Sequence, residues 1–209
     1  YMFSDFEAKY PLRALRKRQR SLRKGLSTRR FRGNVDRVAG VDVAYAGEHA
    51  FVSLVTFDAD SLCELDRVVI EDDAHFPYIP TYLAFRELPL MKSIARFLDG
   101  RTVLMYDGNG ILHPERFGVA SHLGVVLGVP TIGVAKSLLC GQLSAKGSRL
   151  EKAIIVDGKI RGYAMESAAR VNPVYVSPGH MLSVDQARDI VRPFMIHREP
   201  EPTRLAHIV

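Results

Sequence analysis

The stretch His49-Ala50-Phe51-Val52-Ser53-Leu54-Val55-Thr56-Phe57 decides the architecture. It is rich in β-branched and aromatic residues, the types that fit a pleated, half-buried surface. A strand is expected there over residues 50–58. Others are expected over 34–45 before it and 62–71 after it, with a turn at Asp58-Ala59-Asp60-Ser61. Connections this short join antiparallel neighbours, because parallel strands need a long crossover. Downstream the pattern changes. A short helix is expected to end near Glu87 and a second to begin around Pro89, with Leu90, Met91, Ile94, Phe97 and Leu98 as its buried stripe. A strand follows over 101–106, then a helix over 117–127 and a strand over 131–135. Segments 153–156 and 159–165 flank the hairpin signal Asp157-Gly158. Residues 174–176 make a last short strand, and Ser183 and Gln186 have capping-box spacing for a helix over 184–195. Three strands followed by alternating helices and strands indicate one mixed α/β sheet with helices on its faces.

Two of these strands carry a carboxylate where strands normally bury hydrophobes. Asp42 sits in Gly40-Val41-Asp42-Val43-Ala44-Tyr45, and Asp107 in Met105-Tyr106-Asp107-Gly108-Asn109-Gly110. Either one alone reads as a strand-end cap of a helix or turn. Burying an unpaired carboxylate is costly. Two on separate strands suggest a shared hard cation such as Mg²⁺, and metal-assisted phosphate chemistry.

With 209 residues and 47% hydrophobic content, the chain is expected to form a single domain over 1–209. It begins at Tyr1 rather than Met, so a missing start is the expectation. No apolar run is long enough to span a membrane, and no signal peptide is visible. Cys63 and Cys140 lack metal-ligand spacing and read as reduced thiols of an intracellular, cytoplasmic protein. The formal charge of +6 is unevenly spread: residues 1–37 carry 12 Lys/Arg against 3 Asp/Glu, and the rest 17 against 20. The basic excess therefore lies in an N-terminal arm. Leu12, Leu15, Leu22 and Leu26 recur there at near-helical spacing among Arg16, Arg20, Arg23 and other cations. The arm is either a helix that packs by its leucines and offers arginines to phosphates, or a solvated basic face.

Two nucleotide-binding motifs are excluded. Gly133-Val134-Ala135-Lys136-Ser137 lacks the Gly directly before Lys-Ser that a P-loop needs, and His113 stands where a dinucleotide fingerprint needs its third glycine. No nucleotide cofactor is expected. Phe76-Pro77-Tyr78-Ile79-Pro80 is a stiff, partly apolar loop, suited either to covering the core or to wedging into a base stack. Glu87 is either a third metal ligand or a surface ion-pair partner. Lys136 and His113 are candidates for contacts to a phosphate.

These motifs, together with Gly118-Val119-Ala120-Ser121-His122, Pro130 to Lys136, Ser177-Pro178-Gly179-His180 and Glu201-Pro202-Thr203-Arg204, closely resemble the endonuclease V family, in order from about Val38 onward. The resemblance implies a ribonuclease-H-like fold. It implies a Mg²⁺-dependent DNA-repair nuclease, with Mn²⁺ able to substitute, acting on DNA that contains deoxyinosine. Such an enzyme cuts the second phosphodiester bond 3′ to the lesion and leaves a 3′-hydroxyl and a 5′-phosphate. Carried over by motif, Asp42, Glu87 and Asp107 form the acidic metal site. His113 and Lys136 lie near the scissile phosphate, and His207 lies beside the metal. Pro77, Tyr78, Ile79 and Pro80 form the strand-separating wedge. Gly108, Gly110 and Gly118 are expected to leave backbone amides open to a flipped base, and Arg16, Arg20 and Arg23 to contact phosphates. Thr81 stands where the family commonly has Gly; it would either cap the following helix better or restrict the loop and crowd the base pocket. Relatives often continue with a basic tail beyond the last motif, so part of the binding strength is expected from the N-terminal arm. A monomer is the working expectation. The alternatives are a ribonuclease acting on inosine in single-stranded RNA and a non-catalytic damage-binding protein. The intact set Asp42, Glu87, Asp107 and Lys136 argues against the latter.

Overall fold

The computed structural model describes residues 11–73, 76, 77, 79, 82–168 and 171–207. Nine strands form one sheet: β1 (Arg37–Ala46), β2 (His49–Asp58), β3 (Glu64–Asp73), β4 (Thr102–Asp107), β5 (Thr131–Ala135), β6 (Gln142–Ser148), β7 (Glu151–Val156), β8 (Lys159–Met165) and β9 (Val174–His180). Their order is β3-β2-β1-β4-β5-β9-β8-β7-β6. The meander β1–β3 is antiparallel, β4 and β5 run parallel to β1, and β9 returns antiparallel to β5. This is a ribonuclease-H-like mixed sheet.

Helices cover both faces. They are α1 (Leu12–Arg23), α2 (Leu83–Met91), α3 (Val119–Leu127), α4 (Val184–Val191) and α5 (Glu201–His207). Side chains alternate across a strand with period two, so each strand feeds two cores. Val103 and Met105 pack with Ala187 and Val191 of α4 and Ala206 of α5. Leu104 and Tyr106 pack with Leu88 and Met91 of α2 and Leu123 of α3. The Ser183–Gln186 capping box is present at the start of α4.

Three expectations are corrected. Pro89 lies inside α2 rather than starting a new helix. Proline lacks the N–H and its ring crowds the preceding turn, and here the chain tightens after Met91 into a 3₁₀ segment, Lys92–Phe97. The helix expected over 184–195 ends at Val191, with a 3₁₀ turn following. Strand β6 was not expected at all. It is a mostly exposed, polar edge strand, so no alternation of hydrophobes marks it.

Candidate active site

Three strands of the parallel region end their apolar alternation in a polar residue. On β1 the α5-facing series is Val38, Gly40, Asp42; on β4 it is Val103, Met105, Asp107; past β5 it is Ile132, Val134, Lys136. The parallel register pairs Val41 with Tyr106, so Asp42 and Asp107 are the next residues along, side by side on one face. Asp107 in turn pairs with Val134, two residues before Lys136. Gly40 explains how α5 reaches this place. A Cβ there would lie 1.9 Å from the carbonyl oxygen of Pro202, so only glycine lets the helix sit against the strand. The helix then brings His207 Nδ1 to 2.8 Å from Asp42 Oδ2.

Glu87 arrives from the opposite face on α2. It is buried, and it accepts a hydrogen bond from the Tyr106 hydroxyl. Burial is the main cause that pushes its pKa up to about 7; Tyr106 opposes this, and the charges of Asp42 and Asp107 add to it. Burial also raises Asp107, against the pull of Lys136. Lys136 Nζ donates to Asp107 Oδ2 at 2.7 Å and lies 3.1 Å from Glu199 Oε2. Burial works to lower the lysine, but these two carboxylates overcome it and its pKa is raised. Tyr106 is pushed above its ordinary value, by burial first and Glu87 next. Sequence reasoning missed Glu199 and Tyr106. Glu199 lies two residues before the Glu201-Pro202-Thr203-Arg204 motif, and Tyr106 directly precedes Asp107, so position beside a motif was the available signal.

Carboxylate oxygens that raise one another's pKa suit a hard divalent ion. Among the described residues, however, no three His, Cys, Asp or Glu side chains are already gathered to grip one. Asp42 faces His207, Asp107 faces Lys136, and Glu87 faces Tyr106, each through one carboxylate oxygen.

One cavity adjoins the cluster, and a second adjoins the first. The smaller, about 190 Å³, is large enough for one planar base and is lined by Asp107, Tyr106, Gly108, Asn109, Gly118 and Phe117, together with Gln19, His113 and Leu139. Asn109 Oδ1 is buried without a partner among the described residues. The larger, about 370 Å³, is a cleft lined by Arg16, Gln19, Arg20 and Arg23 of α1 and by Tyr82, His113, Pro114, Glu115 and Leu139. Arg16, Arg20 and Arg23 are spaced i, i+4, i+7, which puts all three on one side of the helix. Leu12 is buried at the start of that helix.

A family model for endonuclease V matches residues 20–208. The chain belongs to the endonuclease V family. An endonuclease V from Thermofilum pendens is 43% identical over 178 residues, covering 84% of this chain and 76% of its own length. The crystal structure of endonuclease V from Streptomyces avermitilis superimposes with a TM-score of 0.83 at 33% identity, covering 94% of this chain and 90% of that one. Endonuclease V of Ciona intestinalis, in complex with a 24mer DNA containing an inosine followed by a ribo-adenosine, has a TM-score of 0.83 at 28% identity, with 95% of each chain covered.

Several candidate site residues stand otherwise than expected. Ile79 of the wedge is fully buried with Leu12 and Tyr82, as its aliphatic chain dictates; Tyr78, Pro80 and Thr81 lie outside the described residues. Gly108 and Gly118 line the small cavity, but their amides donate to Val134 O and Gly110 O, so neither is open to a base. Gly110 is buried against the Pro178 carbonyl. His113 makes no hydrogen bond to the acidic cluster or Lys136 among the described residues; it stands where the two cavities meet.

Proposed function

We propose that this endonuclease V is a Mg²⁺-dependent DNA-repair enzyme that recognises deoxyinosine and hydrolyses the second phosphodiester bond 3′ to it, leaving a 3′-hydroxyl and a 5′-phosphate. One observation carries the reading: Asp107 belongs both to the acidic cluster and to the wall of the base-sized cavity. A base in that cavity fixes the distance from lesion to cut. The inosine-containing DNA held by the Ciona intestinalis relative supports the substrate class.

Asp42, Glu87 and Asp107 would hold Mg²⁺, or Mn²⁺ in its place, which would supply Lewis-acid polarisation of the phosphoryl group and acidify water. The protein's own groups do the rest. His207 orients Asp42 through their contact. Lys136 leaves Asp107 for the phosphate and offsets charge as it develops. Glu87, buried beside Asp42 and Asp107, completes the acidic cluster or orients the attacking water. Extruding an inosine costs less than a normal base, on the order of a few kcal/mol, because its pair is weaker. Asn109 Oδ1 then accepts from N1–H, a donor that hypoxanthine has and adenine lacks.

The described strands form one sheet, which supports a single catalytic domain over 1–209 with a basic N-terminal arm of about residues 1–37, acting as a monomer. None of the helices among the described residues is long and apolar enough to cross a membrane. A second reading, inosine-containing RNA as substrate, is favoured by the ribo-adenosine in the relative's ligand. The deciding assay is Mg²⁺-dependent nicking of matched deoxyinosine and inosine oligonucleotides with the cut mapped. Absence of inosine-dependent nicking on both would remove the proposal.

A further inference from the structure

We infer that the 370 Å³ arginine cleft holds the sugar–phosphate backbone immediately 5′ to the lesion, and that His113 contacts the first of those phosphates. This rests on the proposed reading of the small cavity as the lesion pocket.

The inference follows from the order of the parts. The small cavity is lined by Asp107, which the cleft lacks, and by Gln19, His113 and Leu139. The same three residues line the arginine cleft, which contains none of Asp42, Glu87 and Asp107. The sequence in space is therefore acidic cluster, small cavity, cleft. If the cut falls 3′ to the base in the cavity, the strand runs 3′ towards Asp107 and 5′ into the cleft.

The chemistry of the cleft matches that path. Arg16, Arg20 and Arg23 are exposed and make no ion pair with any described carboxylate, so their guanidiniums are available to phosphate oxygens. One exposed carboxylate, Glu115, lines the cleft against three guanidiniums. The Glu115 backbone N–H donates to His113 Nδ1 at 3.2 Å. A neutral His113 ring therefore carries its proton on Nε2, free to donate, and burial holds its pKa below the ordinary value. The half-exposed Leu139 gives a sugar or unstacked base an apolar surface.

The test uses single-stranded deoxyinosine oligonucleotides in which one phosphate at a time is replaced by a neutral methylphosphonate, on the 5′ or the 3′ side. Binding is read by anisotropy without divalent metal, and cleavage separately with Mg²⁺. Neutralising either of the first two 5′ phosphates should weaken binding of the parent several-fold, roughly ten-fold at low salt. The same replacement should add little once Arg16 and Arg20 are both alanine, because the partner is already gone. Losses from 3′ replacements should instead add to the arginine losses. Arg16→Lys with Arg20→Lys should recover much of the binding, since the positive charge remains. Circular dichroism controls for folding of these exposed positions. Indifference of the parent to 5′ methylphosphonates, or coupling of the arginines to 3′ phosphates, would overturn the inference while leaving a correctly placed cut intact. A parent that fails to cut at the second 3′ bond overturns the lesion-pocket reading itself, and this inference with it.

Discussion

The strand-end cluster and helix α1 both concentrate charge, under opposite conditions. In the cluster, Asp42 faces His207, Lys136 bridges Asp107 and Glu199, and Glu87 takes the Tyr106 hydroxyl. Along α1, Arg13, Arg16, Lys17, Arg18, Arg20 and Arg23 point outward and pair with no carboxylate among the described residues. Buried or half-buried charges such as Glu87 and Asp107 are satisfied internally or shift their pKa, whereas exposed ones are satisfied by water at little cost. Under the proposed mechanism, the first arrangement is a site whose partners would rearrange as ion and substrate enter. The second yields cations free to meet phosphates with nothing to displace. Chemistry and affinity are thus separable, and each can be broken without the other.

The largest effect is expected from Asp107→Asn. It removes the carboxylate shared by cluster and cavity with little change in volume. Nicking should fall beyond about 10³-fold, while binding of inosine DNA without metal survives at least in part through α1. Mapped gel assays beside anisotropy measure both; substantial Mg²⁺-dependent cleavage by the variant would sink the mechanism.

Next comes the cluster's response to pH without metal. Glu87 has a folded pKa of about 7, above the ordinary 4.5. Its protonated form suits the fold, so this stability is fully present below pH 4.5 and lost as pH rises through about 7. The amount is on the order of a few kcal/mol. Melting temperature should therefore fall across that window, and Glu87→Gln should flatten the decline. Equal slopes in parent and variant would mean that Glu87 is not the group responsible.

Neutralising Arg16, Arg20 and Arg23 together probes the other region. Damaged and undamaged DNA should both bind more weakly, with the log–log salt slope lowered by about one for each lost contact. The rate at saturating substrate should hold. An unchanged slope would leave the arm as a solvated face.

How far these regions were legible in sequence follows the same division. Asp42 and Asp107 announced themselves because a carboxylate interrupts an apolar alternation, and the strand at 131–135 was read to its exact ends because its residues are all buried. The arm's charge was legible as composition. Its cleft was not, because the opposing wall comes from residues 82, 113–115 and 139, far away in sequence. Ile79 was read for its place in an unusual loop, yet an aliphatic side chain finds the core first, against Leu12 and Tyr82. The amides of Gly108 and Gly118 misled for a related reason: glycine marks close backbone packing as readily as an opening for ligand.

Glu199 offers the smallest effect and the finest test of the contrast. It shares Lys136 with Asp107, at 3.1 Å against 2.7 Å. When Asp107 turns to an ion, Glu199 is the carboxylate left to hold the ammonium near the phosphate. Glu199→Gln should leave Lys136 committed to Asp107 alone, so a cation must compete harder for that oxygen. The lysine is partly exposed, and pairs of this kind contribute about 0.2–1 kcal/mol. The Mg²⁺ midpoint for nicking should therefore rise by up to about five-fold, with the maximal rate restored at high Mg²⁺. Mn²⁺ binding without DNA should weaken by the same factor. A midpoint that does not move would show that the Lys136–Glu199 contact is incidental surface pairing. A maximal rate that stays low at any Mg²⁺ would assign Glu199 to the reacting cluster itself, and the exchange of partners would then involve four carboxylates rather than three.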